Sequence, residues 1–178
     1  VNVFVSGVHG VGKTYLASRF RDKSGLMSTS ASKLIAGERA MPNWDADRRV
    51  SEIDANQFAL ATSVRRHNDA GRRLLLDGHF VLLDSEGNFK RLGPEVLRAL
   101  NLSGVVLIEA EAPTIAARIR TRDQREVNLT HTVEFITAER TQAKVVCEEL
   151  GISLLTLESP SPEVFAKAIE ILSSCSVP

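Results

Sequence analysis

The sequence predicts an α/β domain built on a mostly parallel sheet with helices on both faces. Two observations carry that reading. Solid apolar runs recur at Val3-Phe4-Val5, Leu74-Leu75-Leu76 and Val105-Val106-Leu107-Ile108, as central strands covered on both faces require. Between them lie stretches whose apolar residues repeat at helical spacing, and strands alternating with helices pair in parallel through crossovers.

Each element has its own local signal. The first strand is Asn2–Ser6, and glycines join it to a helical pattern that opens at Tyr15-Leu16-Ala17-Ser18-Arg19-Phe20. Leu26–Thr29 fits a brief second strand, and Ser30–Arg39 a helix with Ala31, Leu34 and Ile35 on one face. Pro42-Asn43-Trp44-Asp45 breaks the chain. A long amphipathic helix follows from about Arg48 to Asn68, with Val50, Ile53, Phe58, Leu60, Ala61 and Val64 as core candidates. Ser51 and Asp54 have the spacing of a capping box, which would start this helix a few residues later.

Leu74–Asp77 is a buried strand ending in a carboxylate. Phe80–Leu83 and Asn88–Leu92 flank Asp84-Ser85-Glu86-Gly87 and predict a β-hairpin, after which Pro94 stands in the first turn of a helix. Gly104–Glu109 is the next buried strand, and Pro113 begins a helix that runs into Arg118, Arg120, Arg122 and Arg125. A helix over Thr130–Leu150 closes at Gly151, Ile152–Leu157 is the last strand, and Ser161-Pro162-Glu163 caps the last helix.

The 178 residues fit one domain with a proper core, and no repeat, linker or low-complexity segment divides them. At 43% apolar and 25% charged residues the chain has a globular balance, which excludes a disordered one. Twenty-two basic residues cancel twenty-two acidic ones, so there is no electrostatic case for nucleic acid as partner, while a protein partner stays open. Cys147 and Cys175 are too few for a disulfide framework or a metal cluster. No apolar run reaches membrane-spanning length and no signal-peptide pattern is present, so a soluble cytoplasmic protein is expected.

Gly7-Val8-His9-Gly10-Val11-Gly12-Lys13-Thr14 is a complete G-x-x-x-x-G-K-T between a buried strand and a helix, the context in which it acts as a P-loop. The glycines let backbone N–H groups turn inward around a β-phosphate, and the helix N-terminus behind them favours the same anion. Lys13 would reach the β- and γ-phosphates and the Thr14 hydroxyl would ligate Mg²⁺, with Tyr15 closing the nucleotide-binding stretch. ATP and Mg²⁺ are therefore the expected cofactors. In a doubly wound sheet ligands sit at the carboxyl ends of strands, so Asp77 stands where it would hold Mg²⁺; its other reading is a turn-forming Asp before Gly78. His79 either orients a water or touches phosphate, or is an ordinary polar residue at a strand end. His9 covers the phosphates or faces solvent. The arginines from Arg118 to Arg125 are a phosphate-covering lid over about 118–130, or else a solvated helix end. The segment of about 28–66 fills the first crossover and is the natural acceptor region, with Arg48, Arg49 and Gln57 suited to a phosphate and a base edge.

With these residues the chain resembles nucleoside monophosphate kinases, most closely archaeal-type adenylate kinases. It is also similar to their eukaryotic relatives, small nuclear proteins with adenylate kinase and ATPase activity linked to ribosome assembly. The P-loop, Asp77-Gly78-His79 as a D-x-H motif, the hairpin after it, Val106–Ala110 and an Arg-rich lid before a long helix match in order and spacing. The resemblance implies a P-loop NTPase fold with five parallel strands in the order 2-3-1-4-5, an AMP-binding region after the first helix and a lid that closes over ATP. It implies phosphate and Mg²⁺ binding by Lys13 and Thr14, the D-x-H role for Asp77 and His79, and Arg122 and Arg125 in the lid. In the acceptor region Asp47-Arg48-Arg49 and Asn56-Gln57 match the family only roughly. The expected activity is transfer of the γ-phosphoryl of ATP to AMP, with intrinsic ATPase activity. The alternatives are a nucleotide-switched ATPase or interaction module, like the bacterial P-loop ATPases of this shape, and a kinase for another nucleotide or a small alcohol.

Overall fold

The computed structural model describes residues 1–20, 25–41, 52–84, 86–124 and 126–174. Five parallel strands form the sheet: β1 (Asn2–Ser6), β2 (Leu26–Ser30), β3 (Arg73–Asp77), β6 (Leu102–Glu109) and β7 (Ser153–Glu158), in the order β2-β3-β1-β6-β7. Numbered along the chain, these five run 2-3-1-4-5. A separate antiparallel hairpin pairs β4 (Val81–Leu83) with β5 (Phe89–Arg91).

Period-two alternation along the central strands divides the core into two layers. Val3, Val5, Leu75, Val106 and Ile108 face α1 (Lys13–Arg19), α5 (Ala112–Asp123) and α7 (Pro162–Ser174), packing with Leu16, Ile115, Ile119, Phe165 and Ile169. Phe4, Leu74, Leu76, Val105 and Leu107 face the other way. There they meet Leu34 of α2 (Ala31–Arg39), Leu60 and Val64 of α3 (Glu52–Asp69), Leu97 of α4 (Pro94–Arg98) and Val146 of α6 (Leu129–Leu150). Helices thus cover both faces.

The helix ends carry the caps that their sequences offer. Ser30 Oγ accepts from the Lys33 N–H at 3.3 Å, Asn128 Oδ1 from the His131 N–H at 3.1 Å, and Ser161 Oγ from the Val164 N–H at 3.3 Å. Gly151 closes α6 at φ +65°.

One expectation needs correction. Phe58, a core candidate, is 44% exposed, because the buried stripe of α3 is Ala59, Leu60, Ser63 and Val64. The outer strands β2 and β7, which carry no solid apolar run, are the edges of the sheet, and several of their residues meet solvent. Val50, the start of the long helix and Cys175 lie outside the described residues.

The register brings the strand ends together on one side of the molecule. Asp77 of β3 pairs with Val5 of β1 and with Ser30 of β2, so its carboxylate stands beside the loop that follows Ser6. Gly78 comes next because a Cβ there would lie 2.6 Å from the Phe4 ring. That ring is buried and packs edge-on against Phe80 at 5.3 Å.

Candidate active site

The loop between β1 and α1 is built by backbone geometry that side chains rarely allow. Gly7 has φ +140°, and a Cβ on it would lie 2.3 Å from the carbonyl oxygen of Ile108 on the neighbouring strand. Gly10, at φ +84°, would bring a Cβ 2.7 Å from Ile119 of α5. The loop is therefore pressed between β6 and α5, and its glycines are required by contact as well as by dihedral angle.

Lys13 opens α1 and turns back into the loop, where it is buried. Its Nζ donates to the Gly7 carbonyl at 2.5 Å and to the Val8 carbonyl at 3.4 Å, and stands 3.8 Å from Asp77 Oδ1. It also lies 3.2 Å from His79 Nε2. Burial lowers the Lys13 pKa, with Asp77 and Glu139 opposing that shift, and burial raises the Asp77 pKa against the pull of Lys13. Burial, then Lys13 and His9, push His79 down to about 3. A neutral imidazole leaves Nε2 free to accept from the ammonium, with the other ring nitrogen carrying the proton.

A cleft of about 410 Å³ lies over this loop, walled by His9, Gly10, Gly12, Lys13, Thr14, Tyr15, Asp77, His79, Arg118 and Arg122. Thr14 and Asp77 offer it hard oxygen donors, the donor type a Mg²⁺ ion takes while keeping waters and phosphate oxygens as its other ligands. The site residues on the loop, Tyr15 (exposed, under the Arg19 guanidinium at 5.6 Å) and Arg122 are thus gathered in one place.

His9 sits at the rim, where the Arg122 guanidinium donates to its Nε2 and Asp123 Oδ2 lies 3.7 Å away. Burial, then the Arg122 charge, lowers its pKa. Arg122 is at the same time held by Asp123 at 2.6 and 2.8 Å. Arg118, one turn earlier, donates to the Val11 carbonyl at 2.8 Å. Arg120 points away and pairs with Glu126 at 3.3 Å. Arg125, expected in the lid, lies outside the described residues. Arg118 was nameable from helix phase: Ile115 and Ile119 bury one face of α5, and 118 and 122 share the adjoining one.

A second cleft, of about 270 Å³, opens on the other side of Asp77, Gly78 and His79. Its walls are largely apolar (Phe4, Ile35, Leu60, Leu82, Leu97), with Ser30, Ser32, Asn56 and Gln57 as polar groups. Gln57 Oε1 is buried there without a hydrogen-bond partner, whereas Asn56 Oδ1 accepts from Arg39 at 2.7 Å. Arg48 and Arg49, expected beside this region, lie outside the described residues.

Sequence reasoning missed Glu139. It is 1% exposed in α6, where its carboxylate accepts from the Ser6 hydroxyl, from the Phe80 N–H at 3.0 Å and from the Val81 N–H at 2.8 Å.

A parallel sheet in this order, with a G-x-x-x-x-G-K-T loop beneath one cleft and a second cleft across the next strand end, defines a P-loop phosphotransferase of the kinase type. Residues 6–134 match the AAA domain family, and the chain belongs to that family. An adenylate kinase from Thermoplasma acidophilum is 27% identical over 177 residues, a match that covers 93% of this chain and 94% of that protein. Among solved structures, the Deinococcus radiodurans tunicamycin resistance protein superposes with a TM-score of 0.63 at 15% identity, over 98% of this chain and 96% of that one. A gluconokinase from Sinorhizobium meliloti superposes at 0.55 and 9% identity, over 97% and 91%. At such identities these two speak for the fold alone.

Proposed function

We propose that this protein transfers the γ-phosphoryl of ATP to AMP with the help of Mg²⁺. The observation that carries the reading is the wall shared by the two clefts: Asp77 and His79 line both. A donor over the P-loop and an acceptor in the second cleft would face each other across these residues. Little covalent chemistry is then asked of the protein, because phosphoryl transfer rests on positioning and charge. Lys13 would hold the β- and γ-phosphates, Thr14 and Asp77 the Mg²⁺, and Arg118 and Arg122 the charge that spreads over the transferred group. Mg²⁺ would supply neutralisation of the phosphate oxygens. The unpaired Gln57 carbonyl fits a base edge that offers an N–H donor, and Arg49, with Arg48 beside it, is proposed for the acceptor phosphate. The 27% identical adenylate kinase supports the same acceptor.

A second reading is favoured by one feature of the acceptor cleft: among the described residues that line it there is no lysine or arginine. An uncharged small-molecule acceptor, or hydrolysis coupled to a partner, fits such walls. The deciding experiment follows ATP consumption with Mg²⁺ and AMP, CMP, UMP, GMP or no acceptor. AMP should stimulate turnover most, with ADP as the only product. Turnover equal with and without AMP would replace the AMP reading with the ATPase one.

A further inference from the structure

We infer that Glu139 is a positioning residue for phosphoryl transfer: from α6 it ties the end of β1 to the turn over residues 77–81, and so sets where Lys13, Asp77 and His79 stand. This inference rests on the phosphotransferase reading of the P-loop cleft. A carboxylate taken out of water persists only where hydrogen bonds replace its hydration. Glu139 has them. One oxygen accepts from the Ser6 hydroxyl and, at 3.0 Å, from the Phe80 N–H. The other accepts from the Phe80 and Val81 N–H groups at 3.1 and 2.8 Å.

The donors lie next to the chemistry. Ser6 precedes Gly7, whose carbonyl holds the Lys13 ammonium. Phe80 follows His79, whose Nε2 faces the same ammonium. The N–H groups of Phe80 and Val81 point towards α6, while the Phe80 carbonyl is used on the hairpin side, by the Leu92 N–H at 2.8 Å. One side chain on a third element therefore gathers both segments that surround Lys13. The same helix, capped by Asn128, is the next helix after α5, which carries Arg118 and Arg122. Misplacing reacting groups by about 1 Å can cost on the order of 100-fold in rate, so a tie at this point acts on catalysis more than on the core.

The test separates hydrogen bonding from charge and from packing. In Glu139→Gln the amide oxygen can accept from the Phe80 and Val81 N–H groups while the amide nitrogen donates to Ser6 Oγ, so the tie survives without the charge. In Glu139→Leu it is gone. Steady-state ATP turnover should show Glu139→Gln within about threefold of wild type in kcat. Glu139→Leu should fall by roughly 30- to 100-fold with an unchanged KM for ATP. Ser6→Ala, which removes a single bond, should fall between them and remains informative if Glu139→Leu does not fold. Hydrogen exchange should show the Phe80 and Val81 amides protected in wild type and Glu139→Gln and released in Glu139→Leu. A folded Glu139→Leu with wild-type kcat and a lower Tm would overturn the proposal in favour of a purely structural carboxylate. So would Glu139→Gln as impaired as Glu139→Leu, which would make charge the operative property. If the wild type turns over no ATP, the phosphotransferase reading fails first. Unchanged protection of the two amides in Glu139→Leu would then sink the tie separately.

Discussion

Replacing Lys13 by methionine keeps most of the aliphatic stem and removes the ammonium, which makes it the sharpest probe of the P-loop cleft. The ammonium has four partners: the Gly7 and Val8 carbonyls at 2.5 and 3.4 Å, His79 Nε2 at 3.2 Å and Asp77 Oδ1 at 3.8 Å. Hydrogen bonds to a charged group contribute about 1.5–3 kcal/mol, and the desolvation that lowers the Lys13 pKa offsets part of that. The net loss should be about 1–2 kcal/mol, which for a chain of this size lowers Tm by roughly 2–8 °C. The effect on chemistry should be larger. Losing one preorganised group aimed at developing charge costs about 100- to 1,000-fold in kcat, and Lys13→Met should lose at least that.

The double variant Lys13→Met with Asp77→Asn makes the two effects separable. With both the buried Lys13 and its half-buried partner Asp77 replaced, stability should return to within about 1 kcal/mol of wild type, because no charge is left unpaired. Turnover should stay lost. Thermal unfolding followed by circular dichroism and coupled-assay kinetics on the same preparations give both quantities. A folded Lys13→Met protein that keeps turnover within about tenfold of wild type would refute the reasoning, since the ammonium would then serve packing and not phosphate.

Three more outcomes follow from the same geometry. Gly7→Ala should destabilise by about 2–5 kcal/mol, from a strained dihedral angle and a Cβ placed 2.3 Å from the Ile108 carbonyl. Gly71→Ala, at φ +73° with nothing within 4 Å, should cost only about 1–2 kcal/mol, and equal losses in urea unfolding would contradict the contact argument. Asp77→Asn should raise the Mg²⁺ concentration for half-maximal turnover by about tenfold or more while metal-free ATP binding barely changes; equal losses in both would make Asp77 a structural strand end. Burial raises the Glu139 pKa above its ordinary 4.5, so between that value and the folded pKa the native state holds the proton that the unfolded chain releases. Stability from this group is full below pH 4.5 and falls as pH rises through the folded pKa, so Glu139→Gln should become more stable relative to wild type from pH 4 to pH 8 in urea titrations. A constant difference across that range would show that Glu139 does not titrate on folding.

The P-loop, the strand sequence and Asp77 were legible because each rests on short-range information. A glycine-rich octapeptide carries its own geometry, and a solid apolar run that ends in an aspartate announces both a central strand and its carboxyl end. The order of the five strands came from the family resemblance, since the runs mark which strands are covered on both faces but not which strand neighbours which. The reason for Gly78 was hidden, because it depends on the Phe4 ring meeting it from another strand. Glu139 was hidden for the same reason more strongly. Its partners Ser6 and Phe80 lie 133 and 59 positions away, and a lone glutamate on a helix reads as solvated. Yet periodicity held a trace of it. Thr132, Glu139, Ala143 and Val146 fall on one buried stripe of α6, with Phe135 and Ile136 packed against the core between them. A carboxylate in the middle of an otherwise apolar or small-residue stripe either breaks the helix packing or finds donors on what it packs against. Here the helix lies over the ends of two segments whose N–H and O–H groups have no sheet partner on that side. The stripe and the carboxylate together therefore demand such donors, and the P-loop end of the sheet is where the fold supplies them.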